Sequence, residues 1–298
     1  MGVHVLDVLV RPVEAIPEGQ GGELVEQIKI TPAGSAGGTA VVLAKLGAEV
    51  RSAGAIGSDA AGDMLLALLE SHGIETSLLA RRDDVQTSAS VLPIRANGDR
   101  PAFHVVGANG TYGPDDAPWD ALGDASHLHL GGPEFMGGEA AAKILSRARE
   151  GGAVTSADVL APGDPGLLDW IGPALPELDY LLPNEEQVLG FTGEDELAAG
   201  CRALVERGVG CVAATRGAEG VLIVDADSEQ SVPAFEVEVV DTTGCGDAFS
   251  AGFLRGLSLD RDRESAARLG CAAAALVAQG LGTDHGDFDL EAADGLKR

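Results

Sequence analysis

Short apolar runs alternate along the chain with segments whose apolar residues recur at helical spacing. Runs of about four to eight apolar residues predict buried strands, here at residues 3–10, 127–130, 153–157, 180–182, 211–214 and 221–224. Helical spacing predicts helices at residues 39–46, 64–71, 139–150, 185–189 and 194–207, and Gly47 and Gly73 are placed to end the first two. Such alternation is typical of an α/β fold in which helices cover both faces of a mainly parallel sheet.

Two stretches interrupt this alternation. Residues 23–31 and 88–106 are rich in alternating and β-branched residues, and the second contains the hairpin signal Asn97-Gly98-Asp99. We expect a small antiparallel sheet, built from residues about 10–32 and 86–108 within one domain of residues 1–298. It would either cover a substrate cleft as a lid or extend the edge of the main sheet. The lid is favoured because two separate insertions would have to meet to form it.

Composition and charge restrict the partners. The chain has 298 residues, is 45% hydrophobic and carries a formal net charge of -27. An acidic surface repels nucleic acid and anionic membranes, so neither is an expected partner. No apolar run approaches the ~20 residues of a membrane span, and the first residues lack the basic and apolar regions of a signal peptide. The four cysteines form no Cys-x-x-Cys pair, which indicates reduced thiols in the cytoplasm.

Residues 237–249 carry the clearest chemical signal. An apolar stretch predicted to be a strand leads into Asp241, a glycine-flanked turn follows, and a buried helix begins at about Ala248. The amides of Gly244, Cys245 and Gly246 would point out of the helix N-terminus, which binds anions. A carboxylate there, Asp247, suits a base that takes the proton of an attacking hydroxyl while the amides hold a phosphoryl group. An ordinary capped helix with Asp in its first turn fits the same pattern.

The segment 241–249 closely resembles the C-terminal signature of the ribokinase family, the pfkB-type carbohydrate kinases. Five other pieces of the family pattern occur in the expected order, at residues 34–40 together with 43–47, at 54–59 with Gly62, and at 107–109, 182–186 and 215–220. The resemblance spans residues 3 to about 285. One such motif is weak evidence, whereas six in register are strong. The resemblance implies a ribokinase-like fold with a β-sheet lid and a kinase that transfers the γ-phosphoryl group of ATP to a hydroxyl of a small sugar-like substrate.

The resemblance also implies roles for individual residues. Asp247 would be the catalytic base, and the amides of Gly244, Cys245 and Gly246 would form the anion hole. The substrate-binding residues would be Asp7, Gly34, Gly37, Gly38 and Asn109. Without the resemblance, Asp7 would more simply be a turn residue at the end of a strand.

Nucleotide and metal sites follow from the same resemblance. ATP would contact Asn184, Thr215, Gly217, Gly220, Gly244 and Gly246, and residues 278–283 would lie beside the adenine. Magnesium would be held through water by Asn184 and Gln187. A monovalent cation, K⁺, would lie at Asp241 and Thr243. On their own, residues 215–220 would be a plain tight turn.

Three positions depart from the family pattern. Gly38 stands where the family usually has a substrate-binding Asn, and Ser35 stands where ribokinases often carry Lys. These changes put recognition of ribose or of a phosphorylated sugar in question. Gln187 replaces a Glu, and because an amide is neutral we expect weaker magnesium binding.

Alternative functions remain open at this point. A nucleoside kinase of the same fold is favoured by Gly38, and a non-catalytic ligand sensor is opposed by the intact Asp247 segment. A nicotinamide enzyme is disfavoured because no Gly-x-Gly-x-x-Gly follows the first strand. Arg100 in the hairpin either reaches a substrate or is solvated, and His127 and His129 are expected to be packed rather than metal-bound. Exposed lid strands predict a homodimer.

Overall fold

The structure is a computed structural model that describes residues 1–297. Its strands are β1 Val5–Arg11, β2 Gln27–Ala33, β3 Arg51–Gly57, β4 Glu75–Arg82, β5 Ala89–Pro93, β6 Phe103–Val105, β7 His127–Gly131, β8 Val154–Asp158, β9 Tyr180–Leu181, β10 Cys211–Thr215, β11 Val221–Asp225 and β12 Glu229–Val232. Its α-helices are α1 Gly37–Lys45, α2 Ala60–Ser71, α3 Trp119–Asp124, α4 Gly138–Glu150, α5 Pro165–Ile171, α6 Glu185–Thr192, α7 Leu197–Glu206, α8 Cys245–Ser258, α9 Arg263–Val277 and α10 Leu290–Asp294.

The main sheet has the order β12-β11-β10-β9-β8-β7. Strands β7 to β10 run parallel, and β11 and β12 add an antiparallel edge. Beyond β7, Gly2 forms a parallel bridge to Gly131, and its amide donates to Ala53 of β3. The first residues therefore join the main sheet to the parallel pair β3-β4. The predicted α/β class with a mainly parallel sheet is confirmed.

Helices cover both faces of this sheet because successive residues of a strand point to opposite sides. In β10, Val212 and Ala214 belong to a core that includes Leu145 of α4 and Leu204 of α7. The intervening Cys211 and Ala213 belong to a second core shared with α1, α8 and α9. Buried strands with apolar residues on both faces explain the continuous apolar runs in the sequence.

The helix ends follow local chemistry. Asp59 caps α2 by accepting a hydrogen bond from the Gly62 amide at 2.8 Å. Gly47 and Gly73 follow α1 and α2 with φ of 75° each, a conformation that glycine adopts without strain. Both glycines end the helices that the sequence predicted.

The lid is a second sheet with the order β2-β1-β5-β6. Strands β2 and β6 flank β1 and β5 as antiparallel partners, and β1 and β5 are parallel. The two predicted insertions thus form one sheet, but β1 lies between them and pairs with a strand of each. The first strand of the chain therefore belongs to the lid. On β1, Asp7 is opposite Thr31 of β2 and Ser90 of β5.

Some expectations about elements are wrong or incomplete. Residues 237–240, which lie in the described part of the chain, form no strand, and the Val240 amide donates to the Ala278 carbonyl instead. The sequence did not predict β3, β4, β12, α3, α5, α9 or α10. None of the helices within residues 1–297 has the length and apolar character needed to cross a membrane.

Candidate active site

Polar residues gather where the parallel strands end. Asp158 is the last residue of β8, Asn184 follows β9, and Thr215 ends β10. Asn184 and Thr215 form a parallel bridge, which places the two predicted nucleotide-binding residues side by side. The carboxyl ends of strands in open α/β sheets are the usual position of ligand sites. The lid strand β1 contributes Asp7 to the same region. The charges of Asp7 and Asp158 both raise the pKa of Asp247, so the three carboxylates lie near one another.

The N-terminus of α8 forms the anion-binding element. Gly244 precedes the helix with φ of 79°, and a Cβ there would lie 2.0 Å from Oγ1 of Thr283, so both the backbone and the packing require glycine. The Cys245 amide donates to the Thr242 carbonyl at 3.2 Å. Within residues 1–297, the amides of Gly246 and Asp247 have no acceptor. Two unpaired amides at the positive end of a helix suit an anion.

Asp241 holds the turn that leads into this helix. Its Oδ1 accepts from the amide of Thr243 at 3.1 Å and from the Thr243 hydroxyl at 2.9 Å. Its Oδ2 accepts from the Gly282 amide at 3.4 Å. The carboxylate therefore ties the turn to the loop at residues 278–283 that the sequence placed beside the adenine.

Asp247 lies in the first turn of α8, partly exposed to solvent. Burial raises its pKa well above the ordinary value, the charges of Asp158 and Asp7 raise it further, and Arg100 opposes them. A Cβ on Gly38 would lie 2.3 Å from Oδ2 of Asp247. A side chain at position 38, as in the family pattern, would therefore displace the carboxylate of Asp247 from the position it has here.

Asp7 is a second buried carboxylate in the site. Burial raises its pKa to about 6 and Asp241 raises it as well, while a hydrogen bond from Ser90 and the charge of Arg100 lower it. Its Oδ1 has no hydrogen-bond partner among the described residues. A buried acceptor without a donor suits a ligand hydroxyl.

Several predicted substrate-binding residues have structural contacts instead of free functional groups. The amide of Asn109 is buried, accepts from the His4 backbone at 3.1 Å and donates to the His4 carbonyl at 2.9 Å. Gly34 lies against the Val3 carbonyl, and Gly37 lies against the His4 ring. Asn109 ties residue His4 to the segment after β6, and Gly34 and Gly37 let the start of α1 lie against the residues before β1. These contacts fix the start of β1, the strand that carries Asp7.

The Asn184 and Gln187 side chains form a capping box on α6. Asn184 accepts from the Gln187 amide at 2.8 Å, and Gln187 accepts from the Asn184 amide at 2.9 Å. The Gln187 side-chain nitrogen donates to the carbonyls of Val159 and Ala161. Both ends of the Gln187 side chain are thus used within the protein, and a contact to magnesium-bound water requires these bonds to be exchanged.

Sequence reasoning missed Asp158 and left Arg100 undecided. Asp158 directly follows the predicted buried strand at residues 153–157 but lies in none of the segments that resemble the family, whereas Asn184 was found through such a segment. Oδ1 of Asp158 lies 3.5 Å from Nε2 of His129, whose Nδ1 shares a 3.0 Å hydrogen bond with Ser156. His129 is therefore packed and hydrogen-bonded, as expected, and the described residues contain no group of three side chains suited to a metal ion.

The thiol of Cys245 lies at the helix N-terminus but is held in its protonated form. Burial raises the pKa of its thiol to about 12, the charges of Asp241 and Asp247 add to this, and Arg100 opposes them. The thiol donates to the Ala274 carbonyl at 3.6 Å. The position at a helix N-terminus, which lowers a thiol pKa, does not offset the rise caused by burial.

Comparisons with known proteins agree with this arrangement. Residues 3–288 match the family described as pfkB family carbohydrate kinase. An uncharacterized sugar kinase of Archaeoglobus fulgidus is 32% identical over 248 residues, which cover 82% of this chain and 97% of the relative. An ATP-dependent ribose-1-phosphate kinase of Halopiger xanaduensis is 30% identical over 273 residues, 91% of this chain and 88% of the relative.

Solved structures show the same fold. The crystal structure of a ribokinase from Thermotoga maritima superposes with a TM-score of 0.80 at 26% identity and covers 95% of this chain and 93% of that one. Its similarity extends over the main sheet and the lid together, so the ribokinase-like fold predicted from the sequence is confirmed. On the match across residues 3–288 and these relatives, the chain belongs to the pfkB family of carbohydrate kinases.

Proposed function

We propose that this kinase transfers the γ-phosphoryl group of ATP to a hydroxyl of a small sugar, with Asp247 as general base. The observation that carries the proposal is the position of Asp247 in the first turn of α8, next to unpaired amides and open space at Gly246. A base and an anion-binding helix end in one place are the two parts that phosphoryl transfer to an alcohol needs.

The reaction follows from this arrangement. The acceptor hydroxyl gives its proton to the Asp247 carboxylate while its oxygen forms a bond to the γ-phosphorus. The bond from that phosphorus to the oxygen bridging to the β-phosphate breaks, and ADP leaves. The transferring group is held by the amides of Gly244, Gly246 and Asp247. This set differs from the expected amides of residues 244–246, because the Cys245 amide already donates to the Thr242 carbonyl. The free Oδ1 of Asp7 accepts a hydrogen bond from another acceptor hydroxyl.

The protein offers suitable surroundings for a nucleotide. A Cβ on Gly217 or Gly246 would meet nothing within 4 Å, so the backbone is open to a close approach by phosphates. Asn184, Thr215 and Gly220 lie at the neighbouring strand ends. Mg²⁺ supplied with ATP would neutralise phosphate charge, held through water near Asn184. We also propose K⁺ near Asp241 and Thr243, where it would support the turn.

The acceptor class is narrowed by two positions. Ser35 is buried and its hydroxyl has no partner among residues 1–297, so it offers no charge to an anionic sugar at the place where ribokinases often carry Lys. Gly38 offers no side chain to a ribose hydroxyl. A neutral sugar is therefore the leading candidate, and a nucleoside is the second, because the lack of a side chain at Gly38 favours a bulkier acceptor.

A screen of acceptors tests the proposal. The protein is mixed with ATP and MgCl₂ and with panels of pentoses, hexoses, polyols, sugar phosphates and nucleosides, and ADP release is measured. The phosphorylated product is then identified by ³¹P NMR. Stoichiometric ADP and phosphorylated sugar support the proposal, and a phosphorylated nucleoside supports the second candidate. ATP binding without transfer to any acceptor would instead support a ligand sensor.

Two further parts of the proposal concern the setting. Burial raises the pKa of the Cys201 and Cys211 thiols to about 12 and 11, so both stay protonated, which fits a reducing cytoplasm. The lid carries exposed apolar side chains on its outer face, which suits a homodimer.

A further inference from the structure

Arg100 reaches from the lid into the body of the protein. It lies in the hairpin between β5 and β6, and its Nη1 donates to Oγ1 of Thr243 at 3.3 Å, across 143 positions of sequence. Thr243 is the residue directly before Gly244, where the anion-binding turn begins. The contact therefore places a lid cation at the edge of the proposed phosphate site.

The surroundings of Arg100 are otherwise acidic. The charge of Asp241 raises the pKa of Asp7, and the charges of Asp158 and Asp7 raise the pKa of Asp247. The positive charge of Arg100 lowers the pKa of Asp7, Cys245 and Asp247 alike and so counteracts the neighbouring carboxylates. An incoming triphosphate would meet several carboxylates at this place, so a cation is required where the phosphoryl group is transferred.

We propose that Arg100 is a catalytic residue that the lid supplies, and that its guanidinium binds the phosphoryl group while it passes from ATP to the acceptor. The inference rests on the proposed function. As the bond from the acceptor oxygen to phosphorus forms and the bond to the bridging oxygen breaks, Asp247 receives the hydroxyl proton. Arg100 keeps its protons and donates hydrogen bonds to the oxygens of the transferring group.

The position of Arg100 favours this role over recognition of the acceptor alone. Its hydrogen-bond partner belongs to the phosphate turn and not to the strand of Asp7. A planar guanidinium donates two parallel hydrogen bonds to phosphate oxygens and remains charged at every relevant pH. Because Arg100 belongs to the lid, the sheet that carries Asp7 of the acceptor site also brings this positive charge to the phosphate turn.

The experiment compares Arg100→Ala and Arg100→Lys with Arg95→Ala. Arg95 lies in the same hairpin but pairs with Asp99 on the exposed side, so its removal changes the charge of the lid without changing the site. We expect kcat of Arg100→Ala to fall about 10²–10³-fold while the acceptor KM changes less than about threefold. Arg100→Lys retains part of the rate, added guanidinium raises the rate of Arg100→Ala, and Arg95→Ala behaves as wild type. Melting curves confirm that each variant is folded.

Other outcomes overturn the inference. A raised acceptor KM with an unchanged kcat would show that Arg100 recognises the acceptor, as it would for a sugar phosphate. Unchanged kinetics in Arg100→Ala, with active wild type, would show that Arg100 is a solvated lid residue and would leave the proposed function intact. An inactive wild type with every acceptor would contradict the proposed function itself, and this inference with it.

Discussion

Asp7 and Asp247 take up protons at a higher pH than ordinary aspartates, because burial disfavours their charged forms. Asp247 is surrounded by Asp7 from β1 and Asp158 from β8, with Arg100 from the lid as the opposing charge. A base accepts a proton only when it is ionised. The partial burial of Asp247 and the neighbouring carboxylates, which raise its pKa, therefore also set the pH at which it can act.

We expect kcat/KM to fall as the pH drops through about 6, the pKa of Asp7, and to remain high above the pKa of Asp247. The sign follows from the raised pKa values, since lowering the pH protonates both carboxylates and removes the base. A pH–rate profile with the true acceptor measures this limb. In Asp7→Asn the remaining activity should extend to lower pH, because a neighbouring negative charge is gone. A wild-type profile that stays flat down to pH 4 would contradict this account.

The thiol of Cys245 should react slowly despite its place at a helix N-terminus. Its pKa of about 12 leaves almost no thiolate at pH 8, and the thiolate is the reactive form. We expect iodoacetamide at pH 8 to inactivate wild type and Cys245→Ala at the same slow rate, and Cys245→Ala to keep its activity. Rapid inactivation of wild type alone, prevented by ATP with magnesium, would show that the thiol is accessible and ionised.

At the scale of elements, one loop connects the lid, α1 and the phosphate turn. Nζ of Lys45 donates to the carbonyls of Asp284, His285 and Gly286, at 2.8, 2.9 and 2.5 Å. The carboxylate of Asp284 pairs with Lys29 of β2 at 2.7 Å. The same loop carries Gly282 and Thr283, which contact Asp241 and Gly244. An ammonium group thus organises one side of the loop, and Asp241 organises the other.

Potassium is expected to raise activity at fixed magnesium by supporting the Asp241 side of this loop. A cation next to Asp241 and Thr243 would steady the turn and strengthen the positive field at the anion-binding amides. Initial rates are compared in potassium chloride and in tetramethylammonium chloride at equal ionic strength, with Asp241→Asn as the variant that should lose the response. Equal wild-type rates in the two salts would contradict the proposed K⁺ site.

Element prediction succeeded where the local pattern contains the cause. Buried parallel strands such as β10 are apolar on both faces, so their runs are visible in the sequence. In contrast, β3 reads Arg-Ser-Ala-Gly-Ala-Ile-Gly and has too little apolar bulk to be recognised. Residues 237–240 have the β-branched character of a strand, but within residues 1–297 they pair with no strand, and a pairing partner cannot be seen in a local pattern.

The roles proposed for the site residues stay predictions, but the structure shows which of their positions could be read from the sequence. The role of Asp247 was inferred from helix-start chemistry together with motif resemblance, and that of Asp7 from the resemblance alone, since Asp7 lies within β1 and not at its end. The direction of the Asn109 side chain depends on burial against His4, 105 positions away, and the contact of Arg100 depends on how the lid folds over the body. Tertiary contacts of this kind leave no signal in residue spacing.

At the scale of the whole molecule, the outer face of the lid is apolar and exposed. Ile28, Val91 and Phe103 on three lid strands are 62%, 45% and 61% exposed. Ile28 lies on β2, Val91 on β5 and Phe103 on β6, so the patch crosses the sheet and not a single edge. Contiguous apolar surface on an otherwise strongly acidic protein marks a contact with another protein.

We predict that the protein is a homodimer through this face. Analytical ultracentrifugation should give about twice the chain mass of 30.2 kDa for wild type and a single chain for Val91→Lys with Phe103→Lys. Val239→Lys is the matched control, since Val239 is 58% exposed but lies far along the chain from the lid strands. A monomeric wild type at micromolar concentration, or a dimer that survives both lysines, would contradict the lid interface.

The central claim is that Asp247 removes the acceptor proton during phosphoryl transfer, and Asp247→Asn tests it most directly. The substitution keeps the shape of the side chain and removes its charge. Transfer of ³²P from [γ-³²P]ATP to the true acceptor should be about 10²–10⁴-fold slower than in wild type, whereas ATP binding measured by calorimetry should be nearly unchanged. A variant that transfers phosphate at close to the wild-type rate would contradict the assignment of Asp247 as the base.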